Sequence, residues 1–411
     1  MGDLRSDFRR VLAAEVVSNF GSMLSRLAIP WIATLALDAT PLEMGFIVVA
    51  DLVAGAMGSL LLGAAVDRMA KRAVMVATDI ARAALLAAVA ALAATHLLSF
   101  WMLIVAAAAS GLLTIMFELA RSAWMVQRIE VAELPARNAQ VSAGGSISET
   151  VAFAIGGWLY QWLGATLALL VDAASYLCSA LFLRKLKDEA PVVTPNPAPT
   201  SMRSLVDDAR AGLAAIAAVP ALRTIATIEA LVALAMSLAG TSYMIFVARN
   251  LAFETGILGM IFAAGGIGSV FGAAMAPAMG RRLGTGRAML IALCLLALGA
   301  ICIPLAPGAS IAGAILLIAH QVIGDGGRTI YDVHDRTIRQ TATTSDKLAR
   351  VDAGIRTVGQ LAALVGALGG GALATLIGAR FALALSAGLL AAAAIVAYYR
   401  LVRGTQGLSA R

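Results

Sequence analysis

The stretch Gly63-Ala64-Ala65-Val66-Asp67-Arg68-Met69-Ala70-Lys71-Arg72 decides the fold class, because of what flanks it. Residues 43–66 before it and 73–95 after it are apolar runs. Each is long enough for a membrane-spanning helix, which takes about 20 residues. The charged residues between them need water, and the runs need lipid. The segment therefore reads as a hairpin of two spans joined by a short polar loop.

The same alternation continues in both directions. Of 411 residues, 60% are apolar and 13% are charged, against the roughly 45–50% and 25% of an ordinary soluble domain. No soluble interior could hide so much apolar surface. A cytosolic enzyme, a nucleic-acid-binding module and a disordered chain are thereby excluded. Spans are expected at about 11–37, 43–66, 73–95, 98–120, 139–163 and 165–183. A second set follows at about 222–248, 254–279, 287–306, 309–331, 351–377 and 379–400. The fold class is an all-α membrane protein with twelve transmembrane helices in two pseudo-symmetric six-helix bundles. The first apolar run is read as the first span rather than a removed signal peptide.

The basic residues orient the chain. Of the 31 Lys and Arg residues, 27 fall on the side that carries both termini, and only Arg249 and Arg380 fall on the other. Arg26 and Arg82 lie within spans. Lys and Arg concentrate on the cytoplasmic side, so both termini are expected in the cytoplasm. Residues 1–183 form one six-helix bundle and 222–411 the other. The linker 184–221 contains Pro191, Pro195, Pro197 and Pro199, then an amphipathic stretch from Met202 to Ala218. Two six-span halves with a linker on this side form a layout of internally repeated membrane proteins. Cys178, Cys294 and Cys302 all lie in apolar runs, so neither a disulfide nor a metal site is expected.

The quoted loop resembles the signature of the major facilitator superfamily. A degenerate copy, Ala276-Pro277-Ala278-Met279-Gly280-Arg281-Arg282, stands at the equivalent place in the second half, without the acidic residue. Two further stretches resemble the branch of enterobactin exporters and macrolide-efflux pumps. One runs from Phe117-Glu118-Leu119-Ala120-Arg121 to Leu134-Pro135-Ala136-Arg137. The other runs from Ile338-Arg339-Gln340 through Leu348-Ala349-Arg350-Val351-Asp352 to Gly366–Gly370. The chain departs from the drug-antiporter branch at Ala107, where an arginine is common. It departs again at Ala152-Phe153, in place of a Gly-Pro pair. The resemblance implies a monomeric inner-membrane exporter of bacteria that moves an amphiphilic small molecule, a siderophore or drug, by alternating access and proton antiport. Lipid flipping and a non-transporting sensor role stay open beside it.

Such a protein needs no reaction chemistry and no cofactor. It needs a cavity near mid-membrane, and ionisable residues inside spans are the candidates to line it, since each is costly there without water or a partner. In the first span Glu15, Asn19, Ser22 and Arg26 share one helical face. Glu149 in span five is the preferred protonatable coupling site. Span seven adds Glu229, and span ten adds His320, Gln321 and Asp325, with Arg328 placed to pair with Asp325 at i,i+3. Asp172 in span six reads as packing glue, while Asp51 and Asp79 receive no assigned role. A cytoplasmic gate is expected from Gly63, Asp67, Arg68 and Arg72, with Glu118 and Arg121 at the end of span four. By the resemblance, Asp67 meets the start of span eleven, near Arg350–Ala353, where a carboxylate is favourable beside helix N–H groups. Lys71 is left to topology alone. Gly268/Gly272 and Gly366/Gly370 read as close helix contacts, not as a nucleotide loop.

Overall fold

The structure, a computed structural model, describes residues 2–130, 133–186, 213–343 and 345–403. The Pro-rich part of the linker and most of its amphipathic stretch (187–212) lie outside the described residues, whose regular structure is all helical with no strand. The first four helices are α1 (Gly2–Trp31), α2 (Pro41–Arg68), α3 (Lys71–Ala94) and α4 (Phe100–Arg128). The run Leu134–Leu183 breaks at Gly164 (φ 75°, ψ 173°), a conformation that suits glycine. Its parts are α5 (134–163) and α6 (165–183). Then come α7 (Pro220–Ile245), α8 (Thr255–Leu283), α9 (Thr285–Leu305), α10 (Ile311–Ala342), α11 (Ser345–Ile377) and α12 (Ala379–Ala397).

Several helices outrun the apolar segments that announced them. α1 starts at Gly2, not near residue 11, and α10 continues to Ala342, beyond the expected 331. The backbone hydrogen-bond ladder has no reason to stop where the apolar residues do. Among the described residues, nine helices are long and apolar enough to cross a membrane on length and composition alone. α1, α5 and α10 are the ones that fall short of that measure.

The chain divides into two compact units. The first holds α1, most of α2 and α3–α6; the second holds α7, most of α8 and α9–α12. Within the first, α1 packs on the α5–α6 run, and α3 packs on α4 and on that same run. Within the second, α7 packs on α11, α9 on α10, and α12 on both α7 and α9. Local geometry repeats as well. π-Helical turns end α1 at Ile32–Ala36 and α7 at Phe246–Asn250. Positive-φ residues follow at Asp38 and Ala252, and glycine hinges stand at Gly164 and Gly378. In each pair the second member lies 214 residues after the first.

Small residues set the helix spacing. A side chain at Gly268 or Gly272 of α8 would run into the α10 backbone at Val322 and Gly326. One at Gly366 or Gly370 of α11 would meet the α7 backbone at Leu234 and Leu238. Lys71, read from sequence as a topology charge, is buried instead. Its Nζ donates to the Val66 carbonyl (2.9 Å) and the Met69 carbonyl (3.2 Å), capping the C-terminal end of α2.

Candidate functional site

The first unit lines a half-open cavity of about 540 Å³, walled by α1, α2, α3, α4 and α6. Glu15, Asn19, Ser22 and Arg26 all reach it, because their spacing puts them on one face of α1. α2 contributes Asp51 and α3 contributes Arg82. α4 adds Ser110, Thr114 and Glu118, spaced four residues apart and so stacked on one face. Met23, Ile47, Leu86 and Ile115 make part of the wall apolar. The space thus offers charge, hydroxyls and hydrocarbon together.

Its polar groups join helices that are distant in sequence. Arg121 of α4 forms an ion pair with Glu15 of α1. Arg82, almost fully buried, pairs with Asp79 one turn earlier on α3. Its guanidinium also stacks between the rings of Tyr176 of α6 (4.2 Å) and Phe117 of α4 (4.8 Å). A desolvated cation over aromatic faces gains about 2 kcal/mol, which offsets part of its burial cost. The Tyr176 hydroxyl lies 2.8 Å from Ser22 Oγ. Asp172, fully buried on α6, accepts from Ser25 of α1 and from Ser175 (3.2 Å), so it ties α6 to α1. Asn19 donates to the Gly145 carbonyl of α5 at 3.1 Å. Asp51 fits against α4 because residue 111 there is glycine, and its charge interacts with that of Arg26.

In the second unit, Glu229 of α7 accepts a 2.7 Å hydrogen bond from the Tyr331 hydroxyl of α10. Glu229 stands 214 residues after Glu15, so each unit links its first helix to its fourth through a carboxylate at a matching position. The His320 ring contacts the Gly299 carbonyl (Nδ1···O 3.1 Å) and faces Tyr243, centroids 5.6 Å apart. Gln321 and Asp325 lie against Gly265 of α8. The expected Asp325–Arg328 pair is replaced. Arg328 pairs with Asp332 at 3.0 Å, one turn further on, because Asp325 is turned to α8 while Arg328 leans over the Tyr331 ring. Arg339 bridges Asp335 and Asp352, the latter at 3.0 Å, and so joins α10 to α11. Phenylalanine at Tyr331 removes the bond to Glu229. It is expected to cost about 1.5–3 kcal/mol, the range for hydrogen bonds to a charged group, read as a shift in unfolding in mixed micelles.

The structure therefore brings Glu15, Asn19, Arg26, Glu118 and Arg121 to one place and Glu229, His320, Gln321 and Asp325 to the second unit. Glu149 is exposed on α5 and takes no part in the cavity wall of the first unit. Gly63 and Asp67 lie in the last turns of α2, but their side chains lie outside the described residues. Arg68 is exposed, and Arg72 donates to the Leu186 carbonyl at 3.1 Å. Arg82 is marked by the sequence only as an arginine within a span, and Tyr176 receives no role from it. The one available signal was Arg82 lying mid-span three residues after Asp79. Among the described residues no group of His, Cys, Asp and Glu could hold a metal ion.

A family model described as Major Facilitator Superfamily matches residues 11–327. Among solved structures, the nucleoside transporter NupG is similar at a TM-score of 0.77 and 14% identity, over 97% of this chain and 99% of its own. A bacterial homologue of the iron transporter ferroportin, in an inward-facing state, gives 0.73 and 14% over 96% and 98%. The POT family transporter PepTSo gives 0.70 and 12% over 97% and 98%. At these identities the likeness is one of fold. No curated protein matches the chain in sequence.

Proposed function

Since the chain belongs to the Major Facilitator Superfamily, a family of membrane transporters, we propose that it exports an amphiphilic small molecule by alternating access, in exchange for protons. The observation that carries this is the cavity of about 540 Å³, whose wall combines Glu15, Arg26, Asp51 and Glu118 with an apolar side. Ionisable groups in a span are costly unless they line water or meet a partner. A transported solute that is part polar and part apolar fits both halves of the wall. The membrane is taken to be a bacterial inner membrane, and Lys and Arg placement supports cytoplasmic termini. The two units, joined by the linker 184–221, serve as the moving parts, with Asp67, Arg68 and Arg72 as the reversible latch between their states. The Asp67 carboxylate, unlike a basic residue, does little to set topology, so a latch gives it a purpose.

The test compares cells expressing and lacking the protein for accumulation of labelled siderophores, macrolides and lysophospholipids. Expression is expected to lower accumulation of at least one class, and a protonophore is expected to abolish the difference. Asp67→Asn is expected to insert normally yet lose transport. No difference across the panel defeats the export function, and a difference confined to lysophospholipid replaces it with lipid flipping.

A further inference from the structure

The charges around the cavity do not balance. Behind the wall, Glu15 is matched by Arg121 and Arg82 by Asp79. Arg26 of α1 and Asp51 of α2 both line the space and offset one another in sign. Two carboxylates remain, Asp172 of α6 and Glu118 of α4. Asp172 is fully buried and held by two serine hydroxyls. Glu118 is different in kind. It is exposed to the cavity and makes no hydrogen bond or ion pair among the described residues. Ser110 and Thr114 rise above it on the same face of α4, and Leu86 and Ile115 lie on the apolar part of the wall.

A carboxylate on the wall of a membrane cavity that no side chain pairs attracts positive charge entering there, because the low dielectric around the cavity strengthens its field. Two kinds of cation could supply it: a proton, or the cargo. We propose that the cargo is an organic cation, an amphiphile whose positive group sits against Glu118 while its apolar body lies along Leu86 and Ile115. This rests on the transport function proposed above. An anionic, siderophore-like cargo is disfavoured, since it would add to the unmatched negative charge. Besides Glu118, the charged groups facing this space are Glu15 and Arg26 from α1, Asp51 from α2, Arg82 from α3 and Asp172 from α6. Arg121 lies behind Glu15.

A pair of ions with one shape and opposite charge tests the proposal. Tetraphenylphosphonium and tetraphenylborate are titrated against the full chain in lipid nanodiscs, with protein-free discs subtracted. The phosphonium is expected to bind at least tenfold more tightly than the borate. Both ions carry a fixed charge, so the difference between them reports the sign of the field that the protein presents. Glu118→Gln is expected to lose at least tenfold in phosphonium affinity. Glu118→Asp, which keeps the charge, should retain most of it, and thermal unfolding checks that both variants are folded. Equal affinity for the two ions, preference for the borate, binding of neither, or an unchanged Glu118→Gln variant each overturns the proposal. If cells export a neutral or anionic compound through this protein, the transport function stands and only the charge assignment falls.

Discussion

Methionine at Arg82 is expected to destabilise the protein by about 3–5 kcal/mol, the cost of stripping one partner from a buried ion pair. Asp79 is fully buried beside it, so the substitution leaves a carboxylate with neither water nor a cation. The contacts to Phe117 and Tyr176 are lost in the same step, and those rings belong to α4 and α6, which Arg82 joins to α3. The decisive comparison is the double variant Asp79→Asn, Arg82→Met. Replacing a whole buried pair with neutral groups is often close to neutral, so it should recover most of the loss. Unfolding by denaturant in mixed micelles measures both. A single-variant loss below about 1 kcal/mol, or a double variant no better than the single, would show that the pair does not hold these helices.

The helices were legible in the sequence because lipid imposes a coarse code. A run of about 20 apolar residues reads as a span whatever its neighbours are. The break at Gly164 falls between the expected segments 139–163 and 165–183, since a glycine there has both the composition and the conformational freedom of a turn. The polar face of α1 was legible for a similar reason. Helical spacing alone puts Glu15, Asn19, Ser22 and Arg26 together.

Partnership is another matter. Arg121 and Glu15 meet across 106 residues of chain, and no local pattern announces it. Arg328 had acidic residues at both Asp325 and Asp332 within helical reach. Its choice depends on Gly265, whose missing side chain lets Asp325 turn toward α8. The repeat itself was half hidden. Asp38 and Ala252 share a positive φ at matching positions but not a side chain, so comparing letters passes over what the backbone repeats.

Valine at Gly268 is the other change expected to have a large effect, and it acts through distance rather than charge. Gly268 and Gly272 of α8 oppose Val322 and Gly326 of α10, so the close contacts recur every four residues along both helices. A Cβ at Gly268 would sit 2.8 Å from the Val322 Cα, and one at Gly272 would sit 3.0 Å from the Gly326 Cα. In both cases the obstacle is backbone, which cannot swing aside as a side chain can. Overpacking of this kind costs about 1–3 kcal/mol, and a branched residue against a helix backbone belongs at the upper end. Pushing α8 away from α10 also separates Gly265 from Asp325, and the unfolding midpoint should fall with it. Gly388→Ala is the control: nothing lies within 4 Å of its added Cβ. In a helix interior alanine gains about 0.5–1 kcal/mol over glycine, so that variant should be no less stable than the parent. If both substitutions lower stability alike, the glycines of α8 contribute backbone flexibility and not proximity, and the close approach of α8 and α10 is not what holds the second unit together.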